Sequence, residues 1–344
     1  MHVSTRWRKE AGLDRVRQSH DERARVHLLT GFLGSGKTTL LKRYLAATHP
    51  GDVAVLINEF GAVSLDDGLI GVADDNVEVL SSGCLCCTVL DRLGQSLRTL
   101  LARRKQVGRP VREIVIETSG LACPEPILNT IRRDYVLNEY LELGAIVATL
   151  DCRDADHVLQ RYREAARQVC AADRIVITKA DLVDGGRVQQ IRALARALNP
   201  FAAIEVATES TAVVSRLFDE TDDRARAPLA STIDANHTAA FRTLALTYET
   251  PLDWARFSLW LTALLNRHGR SLLRFKGILD VRGYAQPVVI HGVQHLMYPP
   301  RHLARSAPGR SGSALVFIVD GLDPSRIVAS LDRYLGQAAL PMAA

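Results

Sequence analysis

The chain has 344 residues, a formal net charge of +5 and 47% hydrophobic residues. This length exceeds one typical compact domain, and the composition excludes a largely disordered chain. No apolar run is long enough to cross a bilayer, and the first residues lack the apolar centre of a signal peptide, so we expect a cytoplasmic protein with no membrane partner. Residues 1–25 carry seven basic and four acidic side chains. More than half of the positive excess therefore lies there, and the charge does not indicate a nucleic-acid partner.

Short apolar runs alternate with helix-length amphipathic stretches after a charged extension over residues 1–25. One such helical pattern extends over residues 158–170. The alternation predicts an α/β domain over residues 26–218, with a mostly parallel sheet flanked by helices and ligands bound at the carboxyl ends of its strands. The strand-like runs are Val26–Thr30, Val53–Ile57, Val77–Leu80, Ile114–Ile116, Ala145–Leu150 and Ile175–Thr178.

The pattern changes after residue 218. Residues 219–237 are polar and poor in large apolar side chains, which is typical of a linker. Beyond the linker, strand-like and helical patterns follow in the order β-α-β-β-β-α. This order predicts a small α+β domain over residues 238–344.

The segment from Gly31 to Thr38 fits the pattern G-x-x-x-x-G-K-[ST] of a phosphate-binding P-loop. In such a loop, glycines let several backbone N–H groups point at a phosphate chain. Lys37 would add positive charge near the β- and γ-phosphates, and the Thr38 hydroxyl would face Mg²⁺. The other residues assigned to the phosphate site are Gly31, Gly34, Ser35 and Gly36.

A metal partner for the P-loop is expected at the end of the run Ile114–Ile116. Glu117 follows this run, and a carboxylate at a strand end can hold Mg²⁺, usually through water. The Gly120 amide could approach a γ-phosphate. The alternative for Glu117 is an ordinary charged strand terminus.

The base is expected to be guanine. Guanine presents N1–H and N2–H₂ as adjacent donors, which one carboxylate can accept together, and adenine lacks that pair. Asp181 follows the run Ile175–Thr178, and we predict that its carboxylate accepts both guanine donors while the stem of Lys179 packs over the ring. The alternative is a strand-end turn without a ligand.

Three of the six cysteines form the cluster Cys84, Cys86 and Cys87, just after a predicted strand. Thiolates at this spacing can converge on Zn²⁺, Cu⁺ or Co²⁺ and leave a fourth position open, which suits metal transfer. A redox cluster and inert buried thiols are the alternatives. We expect Cys152 and Cys170 to be structural. For Cys123, near Gly120, a metal or redox role remains an alternative to a structural one.

Taken together, these blocks resemble the CobW-type P-loop GTPases, which act as metallochaperones or metal-insertion factors. Their order and spacing make the resemblance specific, and it covers nearly all of the chain from Val26 onward. The blocks are GFLGSGKTTLL (31–41), INEFG (57–61), GCLCCT (83–88), IETSGLACPEPI (116–127), ADRIVITKADL (172–182), LLRFKGILDV (272–281) and VIHGVQHL (289–296).

The resemblance implies a GTPase domain followed by a CobW C-terminal domain, with GTP as substrate and Mg²⁺ as cofactor. It adds Thr39 to the phosphate site, makes the stretch from Asn58 a nucleotide-responsive switch, and offers Glu59 as an extra metal ligand or a solvated loop carboxylate. The cargo would be Zn²⁺, with Co²⁺ or Fe²⁺ as alternatives. It would pass to a client metalloprotein docked on both domains, and a nucleotide- or metal-dependent homodimer is a further expectation.

The chain departs from the family pattern at several positions. Cys123 stands where Asp is frequent, Ala62 where an acidic residue is common, and Thr178 where the general GTPase motif has Asn. The His-rich tract that many members carry between the domains is reduced to His237. The alternatives to a chaperone are a metal sensor or sequestering protein in which nucleotide tunes metal affinity, and a nucleotide kinase.

Overall fold

The structure is a computed structural model that describes residues 23–48, 53–58, 77–80, 87–106, 111–208, 211–219, 241–303 and 312–341. Glu59, Cys84 and Cys86, nearly all of the N-terminal extension and most of the expected linker lie outside the described residues. Of Cys87 only the backbone is described.

A parallel sheet forms the first half of the chain, with strands in the order β3-β2-β4-β1-β5-β6-β7. Strand β1 lies at the centre of the sheet between β4 and β5, and the strand order reverses its direction at this point. All seven carboxyl ends meet at one edge, where ligands bind in sheets of this kind. The strands are β1 (Ala24–Gly31), β2 (Val53–Asn58), β3 (Val77–Leu80), β4 (Glu113–Glu117), β5 (Leu141–Asp151), β6 (Arg174–Thr178) and β7 (Ala203–Val206).

Helices cover both faces of this sheet. They are α1 (Lys37–Ala47), α2 (Cys87–Gln106), α3 (Pro124–Arg133), α4 (Tyr135–Tyr140), α5 (Ala155–Arg161), α6 (Arg163–Ala171), α7 (Gly185–Leu198) and α8 (Thr211–Ser215). Successive strand residues point to opposite faces. Accordingly, Leu29 packs with the buried side of α1, while Leu28 packs with α2 and α3.

The helical pattern predicted over residues 158–170 is not one helix. It is interrupted at Tyr162, whose backbone is extended at φ −115° and ψ 110° between α5 and α6. The Tyr162 ring packs against Phe32, with ring centroids 4.5 Å apart. The break thus places an aromatic ring beside the P-loop, a tertiary contact that helical periodicity does not report.

An antiparallel sheet forms the second half, in the order β11-β10-β9-β13-β8-β14, with β12 paired to β10. Its strands are β8 (Phe241–Tyr248), β9 (Leu272–Leu279), β10 (Val288–Val293), β11 (Leu296–Met297), β12 (Arg301–His302), β13 (Ser313–Asp320) and β14 (Leu340–Pro341), and its helices are α9 (Trp254–His268) and α10 (Pro324–Leu335). The α/β fold with a smaller α+β unit is therefore confirmed. The short strands β11, β12 and β14 were not predicted.

The two faces of the antiparallel sheet have different partners. Phe275 and Phe317 face α9 and α10 in one apolar cluster. Leu273 and Val316 point the other way and join the cluster that contains α6 of the first half. The second sheet is therefore packed directly onto the first unit. Within the described residues, no helix is both long and apolar enough to span a membrane.

Candidate functional site

The P-loop connects β1 to α1 through three glycines with positive φ, at 141° for Gly31, 70° for Gly34 and 91° for Gly36. A Cβ on Gly31 would lie 2.2 Å from the Thr149 hydroxyl oxygen and 2.6 Å from the Thr149 carbonyl oxygen. Only glycine fits there, because both the conformation and the close approach exclude a side chain. A Cβ on Gly34 would meet no described atom within 4 Å, so this side of the loop is open.

Lys37 is buried at the first position of α1. Its Nζ donates to the carbonyl oxygens of Gly31 at 3.0 Å and Phe32 at 3.2 Å. These contacts hold a positive charge inside the loop, at the N-terminus of a helix whose partial charge is also positive. The loop is therefore built to receive an anion.

Thr38 and Glu117 are brought together from two different elements. The Thr38 hydroxyl donates to Glu117 Oε1 at 2.6 Å, and Glu117 is 4% exposed at the end of β4. A hydroxyl and a carboxylate oxygen are hard donors of the kind that Mg²⁺ prefers. This donor set therefore fits the Mg²⁺ that the P-loop motif implies, with Thr38 and Glu117 as the residues that would hold it.

The loop after β4 lies against the P-loop. A Cβ on Gly120 would come within 2.6 Å of the Leu33 backbone nitrogen, so the two loops touch only because residue 120 is glycine. The Gln168 side-chain amide of α6 donates to the carbonyl oxygens of Gly120 at 3.2 Å and Ala122 at 2.9 Å. Gln168 is fully buried and thus holds the loop from its buried side.

Lys179 connects the end of β6 to the P-loop. Its backbone is left-handed at φ 57°, and its Nζ donates to Gly34 O at 2.6 Å and to Asp151 Oδ2 at 2.7 Å. Burial raises the pKa of Asp151, but hydrogen bonds from Arg153 and Lys179 outweigh it and hold that pKa below its ordinary value. Asp181 follows in an exposed single turn, Ala180–Leu182, at the same edge of the sheet.

Several site-supporting residues were not found by sequence reasoning. Asp151 anchors Lys179, and Gln168 holds the Gly120 loop. Thr149 was also missed: its hydroxyl lies 2.6 Å from the hydroxyl of the predicted residue Ser35, and the Thr178 hydroxyl donates to Ser35 O at 2.7 Å. The position of Asp151 at the binding edge could have been predicted, because Asp151 directly follows the predicted strand Ala145–Leu150. The role of Gln168 could not, because a single Gln on a helix has no distinguishing sequence pattern.

The remaining thiols are poor metal ligands. Cys152 and Cys170 are buried, in agreement with their expected structural role. Burial raises the pKa of Cys170 to about 12, and burial followed by the charge of Glu125 raises that of half-buried Cys123 to about 11. These two thiols are therefore protonated at neutral pH. Within the residues that the structure describes, no group of three or more His, Cys, Asp or Glu side chains could hold a metal ion.

Polar contacts join helices α3 and α6 to the second unit. Gln294 donates to Glu125 Oε1 at 2.9 Å, next to the Gly120 loop. Asp320 of β13 accepts from Arg167 at 2.8 Å and also pairs with Arg163. Hydrogen bonds and an ion pair therefore connect the nucleotide-binding side of the first unit to the second unit.

Two family profiles match the chain in the expected order. Residues 25–205 match the profile described as CobW/HypB/UreG, nucleotide-binding domain, and residues 241–335 match the cobalamin synthesis protein cobW C-terminal domain. This chain belongs to the CobW/HypB/UreG family. The resemblance drawn from the sequence blocks is thereby confirmed, and the P-loop geometry together with this membership makes the chain a GTPase.

Relatives and solved structures agree with this assignment. The chain is 33% identical over 276 residues to zinc chaperone YjiA of Escherichia coli (strain K12), which covers 79% of this chain and 86% of that protein. It is 35% identical over 187 residues to zinc-regulated GTPase metalloprotein activator 1 of Schizosaccharomyces pombe, covering 52% of this chain but only 44% of that relative. The crystal structure of Zn(II)-bound YjiA GTPase from E. coli superimposes with a TM-score of 0.71 at 28% identity, covering 91% of this chain and 99% of that one.

Proposed function

We propose that this GTPase is a metallochaperone that binds Zn²⁺ through Cys84, Cys86 and Cys87 and delivers it to a client protein. The nucleotide state would set the affinity for the metal. The relatives named zinc chaperone support the cargo and the client, and three thiolates are a donor set that suits zinc. Glu59 is the proposed fourth ligand.

The observation that carries the proposal is where the cysteine segment is attached. Strand β3 ends at Leu80 and α2 begins at Cys87, so the segment between them starts at the same sheet edge as the P-loop. Three strand spacings separate β3 from β1, which is about 14 Å at about 4.8 Å per spacing. A metal held by this segment would lie close enough to respond to a nucleotide.

The switch would begin at the end of β2. Ile57 is paired with Glu117 across the sheet, so the stretch after Asn58 starts directly beside the Mg²⁺-side carboxylate. Contacts from this stretch to a γ-phosphate would order it, and hydrolysis would remove them. We propose that this change lowers the affinity of the cysteine segment for zinc and releases it.

The chain's own residues would supply most of the catalytic stabilisation. Lys37 and the P-loop amides face the phosphates, and Asp181 would accept both guanine donors. Thr38 and Glu117 would hold Mg²⁺, which when bound offsets negative charge on the β- and γ-phosphates. We assign no water-positioning residue and no arginine finger to this site, so we expect slow intrinsic turnover.

The proposal is tested by comparing the triple variant C84A/C86A/C87A with the matched variant Cys123→Ser, which alters a thiol outside the cluster. Zn²⁺ affinity is measured by competition with a chromophoric chelator in the GDP state and with a non-hydrolysable GTP analogue. The triple variant should lose tight binding and Cys123→Ser should retain it. Equal affinities in all three proteins would refute the metal assignment. Tight, nucleotide-sensitive zinc binding without any GTP turnover would instead favour a sensor.

A further inference from the structure

The loop after β4 combines a close approach to the P-loop with a flexible residue. A Cβ on Gly120 would lie 2.7 Å from Leu33 Cα, so this position has to be glycine, which has more backbone freedom than any other residue. The loop begins firmly, since the Thr118 N–H donates to Leu29 O at 2.9 Å and the Thr118 hydroxyl lies 3.0 Å from the Thr30 hydroxyl. A further contact beyond Thr118 is needed to restrict the backbone at Gly120.

Gln168 of α6 supplies this contact. Its NH₂ group carries two hydrogens, and it donates to Gly120 O at 3.2 Å and to Ala122 O at 2.9 Å. The orientation of the amide follows from its chemistry, because only the NH₂ end can pair with two carbonyl oxygens. Among the described residues, no other side chain forms a hydrogen bond with residues 120–122. The conformation of this loop therefore depends on one buried side chain.

The bond to Gly120 O fixes the neighbouring peptide groups. A peptide unit is planar and trans, so the Leu121 N–H points away from the Gly120 carbonyl oxygen and therefore away from the Gln168 amide. The same bond restricts the ψ torsion of Gly120. Within the described part of the chain, neither the Gly120 N–H nor the Leu121 N–H donates to a backbone carbonyl. Gln168 thus orients a backbone segment whose N–H groups can donate to a phosphate oxygen.

Gln168 is itself held in place. The side chain is fully buried, and the adjacent Arg167 fastens α6 to the second unit through two hydrogen bonds to Asp320 Oδ2, at 2.8 and 3.2 Å. A side chain locked by packing on a helix positions its partner more precisely than one on a loop. The Gln168 Oε1 atom has no hydrogen-bond partner among the described residues. The polar contribution of Gln168 therefore lies in the two bonds of its NH₂ group.

We propose that Gln168 is a positioning residue for GTP hydrolysis. It does not touch the nucleotide and acts through the loop, where it orients the Gly120 N–H toward the γ-phosphate before GTP binds. A donor oriented in advance stabilises charge on the γ-phosphate without reorganisation in the transition state. GDP lacks this phosphate, so Gln168 contributes to the binding and hydrolysis of GTP and not to the binding of GDP. The proposal rests on the expected place of Gly120 at the γ-phosphate and is independent of the zinc cargo.

The first test compares Gln168→Met with the control Tyr248→Phe, in the full chain with Mg²⁺ and without zinc. Methionine keeps the length and helical preference of glutamine but donates no hydrogen bond. Tyr248→Phe removes a buried hydrogen bond of the second unit, to Asp332 Oδ1 at 2.8 Å, and controls for lost stability. In Gln168→Met, kcat should fall about tenfold or more and affinity for a non-hydrolysable GTP analogue should fall, while affinity for GDP stays within about twofold. Tyr248→Phe should keep the parental values.

Gln168→Glu separates the hydrogen bond from the shape of the side chain. A protonated carboxyl group can donate to one of the two carbonyl oxygens, whereas the ionised group donates to neither. Burial raises the pKa of such a carboxyl group, so its protonated fraction grows between about pH 8 and about pH 6. The hydrolysis rate of Gln168→Glu relative to the parent should therefore rise as the pH is lowered over this range. The relative rate of Gln168→Met should stay constant.

Hydrogen exchange in the parent protein tests the same claim without a substitution. The side-chain amide hydrogens of Gln168, followed by ¹⁵N–¹H NMR, should exchange more slowly with the GTP analogue bound than with GDP bound. The buried amide of Asn199, which donates to Val169 O and Ala172 O at 2.8 Å each, is the internal reference and should exchange equally in both states. Parental kcat in Gln168→Met, equal losses of GTP and GDP affinity, the same loss of kcat in Tyr248→Phe, or equal exchange at Gln168 in both states would overturn the proposal.

Discussion

Replacing Asp151 by Ala tests whether Lys179 must be anchored for the P-loop to bind nucleotide. In the structure Lys179 Nζ lies between Gly34 O and Asp151 Oδ2, at 2.6 and 2.7 Å. Without the carboxylate, Lys179 gains rotamers and Gly34 loses its fixed partner. We therefore expect the loop to be less ordered before nucleotide binds, which lowers affinity.

The expected magnitude follows from the burial of the pair. The Lys179 and Asp151 side chains are 28% and 16% exposed, so the interaction is partly screened. A part-buried charge-assisted hydrogen bond of this kind contributes about 1 to 2 kcal/mol. The contact from Arg153, whose side chain is 50% exposed, adds little. Affinity for GDP should fall by about 5- to 30-fold.

The assay is a fluorescence titration with a labelled GDP, alongside the control variant Asp154→Ala. Asp154 is exposed, lies three residues along the chain and makes no side-chain cap hydrogen bond, so its removal changes the net charge equally. Asp154→Ala should bind GDP as the parent does. If both variants lost the same affinity, the effect would come from charge alone and the anchoring argument would be wrong.

Four further predictions follow from single contacts. Thr38→Val should raise the Mg²⁺ concentration needed for GTP hydrolysis at least tenfold, measured as phosphate release, because the hydroxyl beside Glu117 is lost. Asp181→Asn should weaken GTP binding and strengthen XTP binding in competition assays. The Asn amide offers one acceptor and one donor, and xanthine presents one donor and one acceptor where guanine presents two donors. Arg274→Met should lower the free energy of unfolding by about 3 kcal/mol in urea titrations, since it leaves the Asp173 carboxylate without its buried partner. Glu125→Gln keeps an oxygen that accepts from Gln294. Burial raises the pKa of Glu125 in the folded protein. The parent therefore loses stability as the pH rises above the pKa of a Glu in the unfolded chain, which is about 4.3. The variant should therefore melt higher than the parent at pH 7 and equally at pH 4, and an advantage independent of pH would contradict this account.

The architecture was largely predictable because strand-helix alternation and the P-loop pattern are local properties of the chain. The same holds for the residues at strand ends, such as Glu117 and Lys179, which the parallel topology brings to one edge. The contacts that hold them were less predictable. Asp151 follows a predicted strand and so could have been placed at this edge, but its contact with Lys179 is tertiary. Gln168 supports the Gly120 loop through tertiary packing alone, and no sequence motif marks it.

The surroundings of His27 show the same limit. The sequence shows His27 only as one residue of an apolar strand, whereas its contacts with Gly144 and Phe218 are tertiary. Likewise, the break at Tyr162 occurs without proline or glycine, and the Tyr162 ring packs on Phe32. Periodicity records which residues are buried, but not which partner each one meets.

The central claim is that the nucleotide state controls metal affinity, and one measurement addresses it most directly. The Zn²⁺ dissociation constant of the full chain is determined with a non-hydrolysable GTP analogue bound and again with GDP bound, each in the presence of Mg²⁺. The account predicts tighter zinc binding in the GTP-like state and a weaker constant after exchange to GDP. The same dissociation constant in both states would contradict it.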